Sequence, residues 1–297
     1  ASDRLSCGMT GRVRPSLRPK QPENNRPIRA ATVPDAMSIR ARVPAPALAI
    51  ATALGLAALA YGGGNVAAFT LSRLFEIAGV DLTPRRGFIL SVVTLQLVFF
   101  TGVSLLYLRY RGLSLSDIGV RVPTLEGWIV LGVGFVGMII VWLVGSIASF
   151  VIGQRLGIER EPQAIFEIAQ QDPLIFLLLG VLSILIVGPT EELLFRGVIQ
   201  TRIRETFGVP VGIPLATALF ALIHVFGFST LAGGVLGVSV LFLSGLVLAL
   251  AYEYTDNLVV VAVMHGLFNA TQATLGYLGA RFGDPDGTAL GLAHTLR

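Results

Sequence analysis

Between Thr206 and Tyr252 the chain carries no Asp, Glu, Lys or Arg. A run of that length cannot be tucked into the core of an ordinary soluble domain, and a bilayer needs only about 20 apolar residues per helical crossing. The cluster Gly227-Phe228-Ser229-Thr230, followed by Gly233-Gly234, divides the run. It predicts two spans, Val211–Phe226 and Val235–Tyr252. Other uncharged stretches predict further crossings: one within Val43–Ser72, then Gly87–Leu108, then Gly127–Ile152. Another starts at Pro173 and continues past Arg196 towards Arg202 and Arg204, and a last one covers Asn257–Leu278. The expected fold is all-α, a polytopic membrane bundle of seven to eight transmembrane helices. The eighth would come from Gly62-Gly63-Gly64-Asn65, read as a break in the first span.

Composition agrees, with 54% hydrophobic and 13% charged residues. The net charge of +4 is no nucleic-acid signal. Nine of the 22 basic residues precede the first span, where they favour a cytoplasmic N-terminus. The inner loops would then carry Arg109, Arg111, Arg121, Arg196, Arg202 and Arg204, in a multi-pass protein of the cell membrane. Residues 1–42 read as a disordered basic arm, 43–280 as the transmembrane domain and 281–297 as a polar tail. The one cysteine, Cys7, excludes an internal disulfide and a cysteine-based metal cluster.

Against this apolar background Gly188–Gln200, GPTEELLFRGVIQ, stands out. It follows Pro173–Val187, fifteen residues without a charge, so Glu191 and Glu192 arrive deep in a span. An ionisable group inside a membrane is costly and marks a functional site by default. Four residues apart, Glu192 and Arg196 share a helix face and can neutralise each other. Glu191 points elsewhere and needs a partner from another helix. A purely structural reading also exists: Pro189 and Thr190 could start a helix whose dipole the two acids complement.

Two of the three histidines lie in apolar spans: His224 in FALIH and His265 in HGLFN, where Asn269 shares its face. At about 1.5 Å per residue, Glu191 and His224 both fall about 20 Å from the inner boundary, Asn269 about 18 Å and His265 about 12 Å. They can share one layer. Such a layer suits water activation beside a peptide carbonyl, with a desolvated Glu as base, a His sharing the water's proton, and His and Asn as oxyanion donors. No Ser–His pairing of hydrolase type and no HExxH accompanies them.

Glu191-Glu192-x-x-x-Arg196, Phe220-x-x-x-His224 and His265-x-x-x-Asn269 together resemble the three-motif signature of the CPBP family. That family comprises the CAAX prenyl endopeptidases and bacteriocin-processing relatives, and the resemblance covers about Leu174–Ala273. It implies an intramembrane endopeptidase, a hydrolase, with about eight spans. Glu191 and His224 would activate water, His265 and Asn269 would stabilise the oxyanion, and Glu192, Arg196 and Phe220 would support the site. The expected partners are the bilayer and a membrane protein or peptide, lipid-modified or not. Zinc stays open as cofactor, with Glu191, His224 and His265 as its ligands. A metal-free mechanism is preferred, because Asn269 is a better oxyanion donor than zinc ligand and no fourth strong ligand is evident. Two other functions compete: a catalytically silent scaffold or immunity-type protein on the same fold, and a proton-coupled transporter.

Overall fold

A computed structural model describes residues 44–158 and 163–283. The proposed basic arm, and the tail from residue 284 onward, lie outside them. Among the described residues there are helices and turns and no strand. Seven helices are long and apolar enough to cross a membrane. They are α1 (Ala45–Ile77), α2 (Pro84–Arg111), α3 (Leu125–Leu156), α4 (Leu174–Phe207), α5 (Val209–Gly227), α6 (Leu231–Thr255) and α7 (Leu258–Phe282). A short helix, Ala164–Gln171, precedes α4 and packs Ala169 and Phe166 against its first turns.

The bundle is organised around α4. Every residue from Thr190 to Gln200 is buried, although two of them are glutamates and one an arginine. The helix touches α1, α2, α5, α6 and α7, so its polar side chains meet protein and not lipid. It does not restart at Pro189. Backbone angles stay right-handed through Val187, Glu192 and Leu193, with wider π-helical turns at Ser183–Val187 and Leu193–Gln200. A proline lacks the N–H that a regular turn would use, and π turns are a common accommodation of such a defect, often at functional sites. The helix-start reading of Pro189 and Thr190 therefore fails. The Thr190 hydroxyl lies 3.2 Å from the Val187 carbonyl and donates to another helix, and it caps nothing.

The glycine cluster of α1 does not break the helix either. Ala45–Ile77 is a single run with a π-helical segment at Ala58–Gly63, so no eighth span is concealed there. The glycines form a notch. A Cβ on Gly64 would lie 2.5 Å from Leu95 Cδ1, and one on Gly63 would lie 3.0 Å from Phe99 Cε1, so α2 sits in the space they leave.

Glycine also sets the approach of α4 to α7. A Cβ on Gly266 would lie 2.6 Å from Ile184 Cα and 2.8 Å from the Ser183 carbonyl. One on Gly188 would lie 2.7 Å from the Ala262 carbonyl. Two backbones meet with no side chain between them, as small residues permit inside membranes. His265, beside Gly266, is thereby carried against the two glutamates that follow Gly188.

α4 and α6 are fastened by three polar rungs. Arg196 Nη2 donates to the Gly245 carbonyl (3.3 Å), Gln200 Nε2 to the Ala249 carbonyl (3.2 Å), and Arg204 Nη1 to Glu253 Oε1 (2.6 Å). Each rung joins residues 49 apart, which is the pattern of two helices running parallel in one register. On the same end of the bundle Arg111 pairs with Glu205, Arg121 with Asp256, and the Tyr252 hydroxyl donates to the Ile118 carbonyl. The α2–α3, α4–α5 and α6–α7 connections thus share one face.

Gly266→Ala should force the α4–α7 backbones apart. Overpacking of this kind costs about 1–3 kcal/mol, and a lowered thermal unfolding midpoint in detergent is expected. An unchanged midpoint would mean that the backbones are not in contact.

Candidate active site

The site is assembled from α4, α5 and α7, with one contribution from α2. Glu192 and Arg196 form the ion pair their spacing predicts, with Nε and Oε2 3.3 Å apart and side chains 1% exposed or less. The separation is a charge contact and not an aligned hydrogen bond, since neither atom meets hydrogen-bond geometry. The guanidinium is held further by the Gly245 carbonyl and by the Phe220 ring, whose centroid lies 4.6 Å from Cζ. An arginine over an aromatic face gains most where water is excluded. Arg196, counted among the inner-loop arginines, is therefore a member of the site and contributes nothing to orientation.

The second oxygen of Glu192 does something its spacing did not indicate. His265 Nδ1 lies 2.8 Å from Glu192 Oε1. An ionised carboxylate can only accept, so the ring donates through Nδ1 and its Nε2 carries the lone pair when the ring is neutral. That Nε2 faces Glu191 Oε2 at 3.9 Å. The gap is too long for a hydrogen bond and short enough for one water to touch both atoms. His265 thus stands between the two adjacent carboxylates, bonded to one and facing the other.

Glu191 is 7% exposed and finds its partner on α2: Gln96 Nε2 donates to Glu191 Oε1 at 3.0 Å. The Gln96 carbonyl oxygen accepts from the Thr190 hydroxyl at 2.7 Å. Gln96 was not among the residues singled out from the sequence. Its signal was there, a lone amide in an uncharged span and 5% exposed in the fold. A neutral amide carries neither a charge nor a titratable ring, so it stands out far less in an apolar span than Glu, Arg or His.

Phe220 is the partition around which the rest is placed. Its ring makes edge contacts with His224 (centroids 4.9 Å apart), His265 (5.9 Å) and Phe195 (5.1 Å). His224 lies at the tapering end of α5, where Ile223–Gly227 tightens into a 3₁₀ turn. Its Nδ1 is 2.8 Å from the Phe220 carbonyl, which leaves Nε2 free to accept. His224 is half-buried, and its ring bonds the Phe220 carbonyl and not Glu191. Asn269 sits one turn beyond His265 on α7, also half-buried and not bonded to the other site residues. Glu192, Arg196 and His265 are thus joined directly, Glu191 faces His265 across 3.9 Å, and His224 is reached through Phe220.

The zinc alternative requires Glu191, His224 and His265 to converge on one point. They do not: among the described residues no three His, Cys, Asp or Glu side chains come together closely enough to hold a metal. The donor set as folded does not fit a three-ligand zinc site.

A seven-span helical bundle that holds two carboxylates, a guanidinium and an imidazole in contact below its surface is a polytopic membrane protein built around a polar site. Residues 173–271, a third of the chain, match the family model described as Type II CAAX prenyl endopeptidase Rce1-like. The match bears out the family resemblance carried by the three motifs, and it gives the segment from α4 to α7 the likeness of a CAAX-type membrane protease. No curated protein and no solved structure matches the chain.

Arg196→Ala would leave Glu192 buried with half its compensation gone. Stranding one member of a buried pair costs about 3–5 kcal/mol, so folded yield after detergent extraction should drop sharply. Normal yield together with a normal unfolding midpoint would show that the pair is not structural.

Proposed function

We propose that this chain is an intramembrane endopeptidase that hydrolyses a peptide bond of a membrane-associated protein or peptide. The observation that carries the reading is the division of labour between two adjacent glutamates. Glu192 is consumed by His265 and Arg196, whereas Glu191 keeps Oε2 facing the open side of His265. A water seated between Glu191 Oε2 and His265 Nε2 would lose its proton to Glu191 as its oxygen attacks the scissile carbonyl carbon. The carbonyl π bond becomes an oxyanion, to which Asn269, half-buried one turn beyond His265, would donate. In its imidazolium form, with the Nε2 proton in place before the attack, His265 would be a second donor, and Glu192 behind it offsets the charge. Collapse of the tetrahedral adduct breaks the C–N bond, and the proton held by Glu191 passes to the leaving amine. His224, with Nε2 free, can orient the water or relay this proton. No step is routed through a metal.

The bilayer supplies the substrate class. Phe226, two residues beyond His224, is exposed and apolar, as suits a substrate segment presented from the membrane. The family description makes a peptide with a prenylated C-terminus one substrate to try.

Glu191→Gln keeps shape and removes the proton acceptor. General-base contributions are about 10²–10⁴-fold, and cleavage should fall at least that far while the unfolding midpoint holds. The measurement is the appearance of new protein N-termini in membrane vesicles containing the full chain, followed by mass spectrometry with and without the substitution. Equal cleavage by wild type and Glu191→Gln would overturn the reading.

The orientation that goes with this function puts the N-terminus and the α2–α3, α4–α5 and α6–α7 connections in the cytoplasm. The face carries Arg109, Arg111, Arg121, Arg202 and Arg204. In a Cys7→Ser background, a membrane-impermeant thiol probe should label Ala78→Cys in intact cells and Ser116→Cys only after permeabilisation. Both positions are exposed. The reverse pattern would invert the topology.

A further inference from the structure

Gln96 lies on α2, in a π-helical segment (Val93–Phe100) and outside the part of the chain that matches the family model. We infer that Gln96 is a positioning residue for the hydrolytic base: it clamps one oxygen of Glu191 so that the other, Oε2, is presented to the water. The inference rests on the endopeptidase reading and adds to it a part of the site contributed by the N-terminal half of the bundle.

The direction of the amide follows from the chemistry of its two neighbours. Glu191 Oε1, 3.0 Å from Nε2, can only accept when ionised, so it requires the NH₂ end. The carbonyl end then falls to the Thr190 hydroxyl, which donates to Oε1 at 2.7 Å. Turning the amide over would set two acceptor oxygens against each other at the Glu191 contact. The carboxylate thus sets the direction of the amide, in a place with almost no access to water: Thr190, Glu191 and Gln96 are 6%, 7% and 5% exposed. A carboxylate on a two-bond side chain has freedom about its last torsion. A single directed bond to Oε1 removes it and leaves Oε2 aimed at His265, 3.9 Å away.

The charged groups facing Glu191 do not provide this service. Glu192 and Arg196 neutralise each other on the neighbouring face, and His265 is tied to Glu192. His265 approaches Glu191 only through the oxygen that must stay free for water. Gln96 is also neutral, so it orients the base without adding a charge that would have to be compensated. Thr190 serves one step further out, by holding the far end of the amide with a second hydrogen bond. A site whose reacting group needs placement within a fraction of an ångström commonly has such a supporting bond, and misplacement by about 1 Å can cost about 10²-fold in rate.

Gln96→Leu is close in volume and removes both hydrogen bonds. Two readouts on the full chain in lipid vesicles test the assignment. The first is the infrared carboxylate band of Glu191, isolated as the difference between wild type and Glu191→Gln; it should shift in Gln96→Leu as the bond to Oε1 is lost. The second is the rate of new N-terminus formation, expected to fall about 10²-fold in Gln96→Leu. Adding Gln96→Leu to Glu191→Gln should cost nothing further, because the residue to be positioned is already gone. A role in helix fastening alone would lower yield and add to the Glu191→Gln defect. An unshifted infrared band, or a Gln96→Leu protein that cleaves at the wild-type rate, sinks the inference and leaves the endopeptidase reading standing. A Glu191→Gln protein that cleaves like wild type removes both.

Discussion

The structure depends on cancelling charge where water cannot help. Taking an ion out of water into an apolar interior costs several kcal/mol even after relaxation. α4 brings three formal charges into the bundle within six residues. The fold answers by letting Glu192 face two ways, towards Arg196 along its own helix and towards His265 on α7. Everything that makes this possible is a matter of distance. The glycine contact between Gly188 and Gly266 brings the two backbones together, and Phe220 fills the space between the imidazoles while lying under the guanidinium. Glu191 alone is left with an oxygen uncommitted. It is the least neutralised group of the cluster, and that is the property a base requires.

How far this was legible in the sequence depends on the range of each interaction. Glu192 and Arg196 are four residues apart, so helix geometry alone predicted their pairing. The membrane spans were equally legible, since hydropathy and length settle them. His265 and Glu192 are 73 residues apart, and the depth argument sets His265 in one layer with Glu191, Glu192's neighbour. It could not say that His265 would bond Glu192 and merely face Glu191. Gln96, 95 residues from Glu191, fell outside every pattern. No periodicity connects α2 to α4, and a neutral amide in an apolar helix changes neither charge counts nor spacing.

The two local misreadings have one cause. Gly62–Asn65 reads as a break and Pro189–Thr190 admits a new start, because glycine and proline usually punctuate helices in water. Inside a membrane a helix cannot leave backbone groups unpaired, so the cheaper response is a wider turn within an unbroken helix. Both sites show it, with π-helical segments at Ala58–Gly63 and on either side of Gly188–Glu192. The glycines then serve packing: α2 fits against Gly63 and Gly64, and α7 against Gly188.

The parallel seam between α4 and α6 has a further property. Two of its rungs end on main-chain carbonyls, those of Gly245 and Ala249. A carbonyl oxygen is supplied by every residue type, so the acceptors on α6 are immune to substitution, and only bulk is restricted there. At Gly245 that restriction is real, since a Cβ would lie 3.0 Å from the Phe220 ring. On α4 the opposite holds, because the donors are the side chains of Arg196 and Gln200 themselves. The instructions for keeping these helices in register are thus written almost wholly on one of them. Mutational drift would be read very differently on the two walls of the same seam, as a question of size on α6 and of chemical identity on α4.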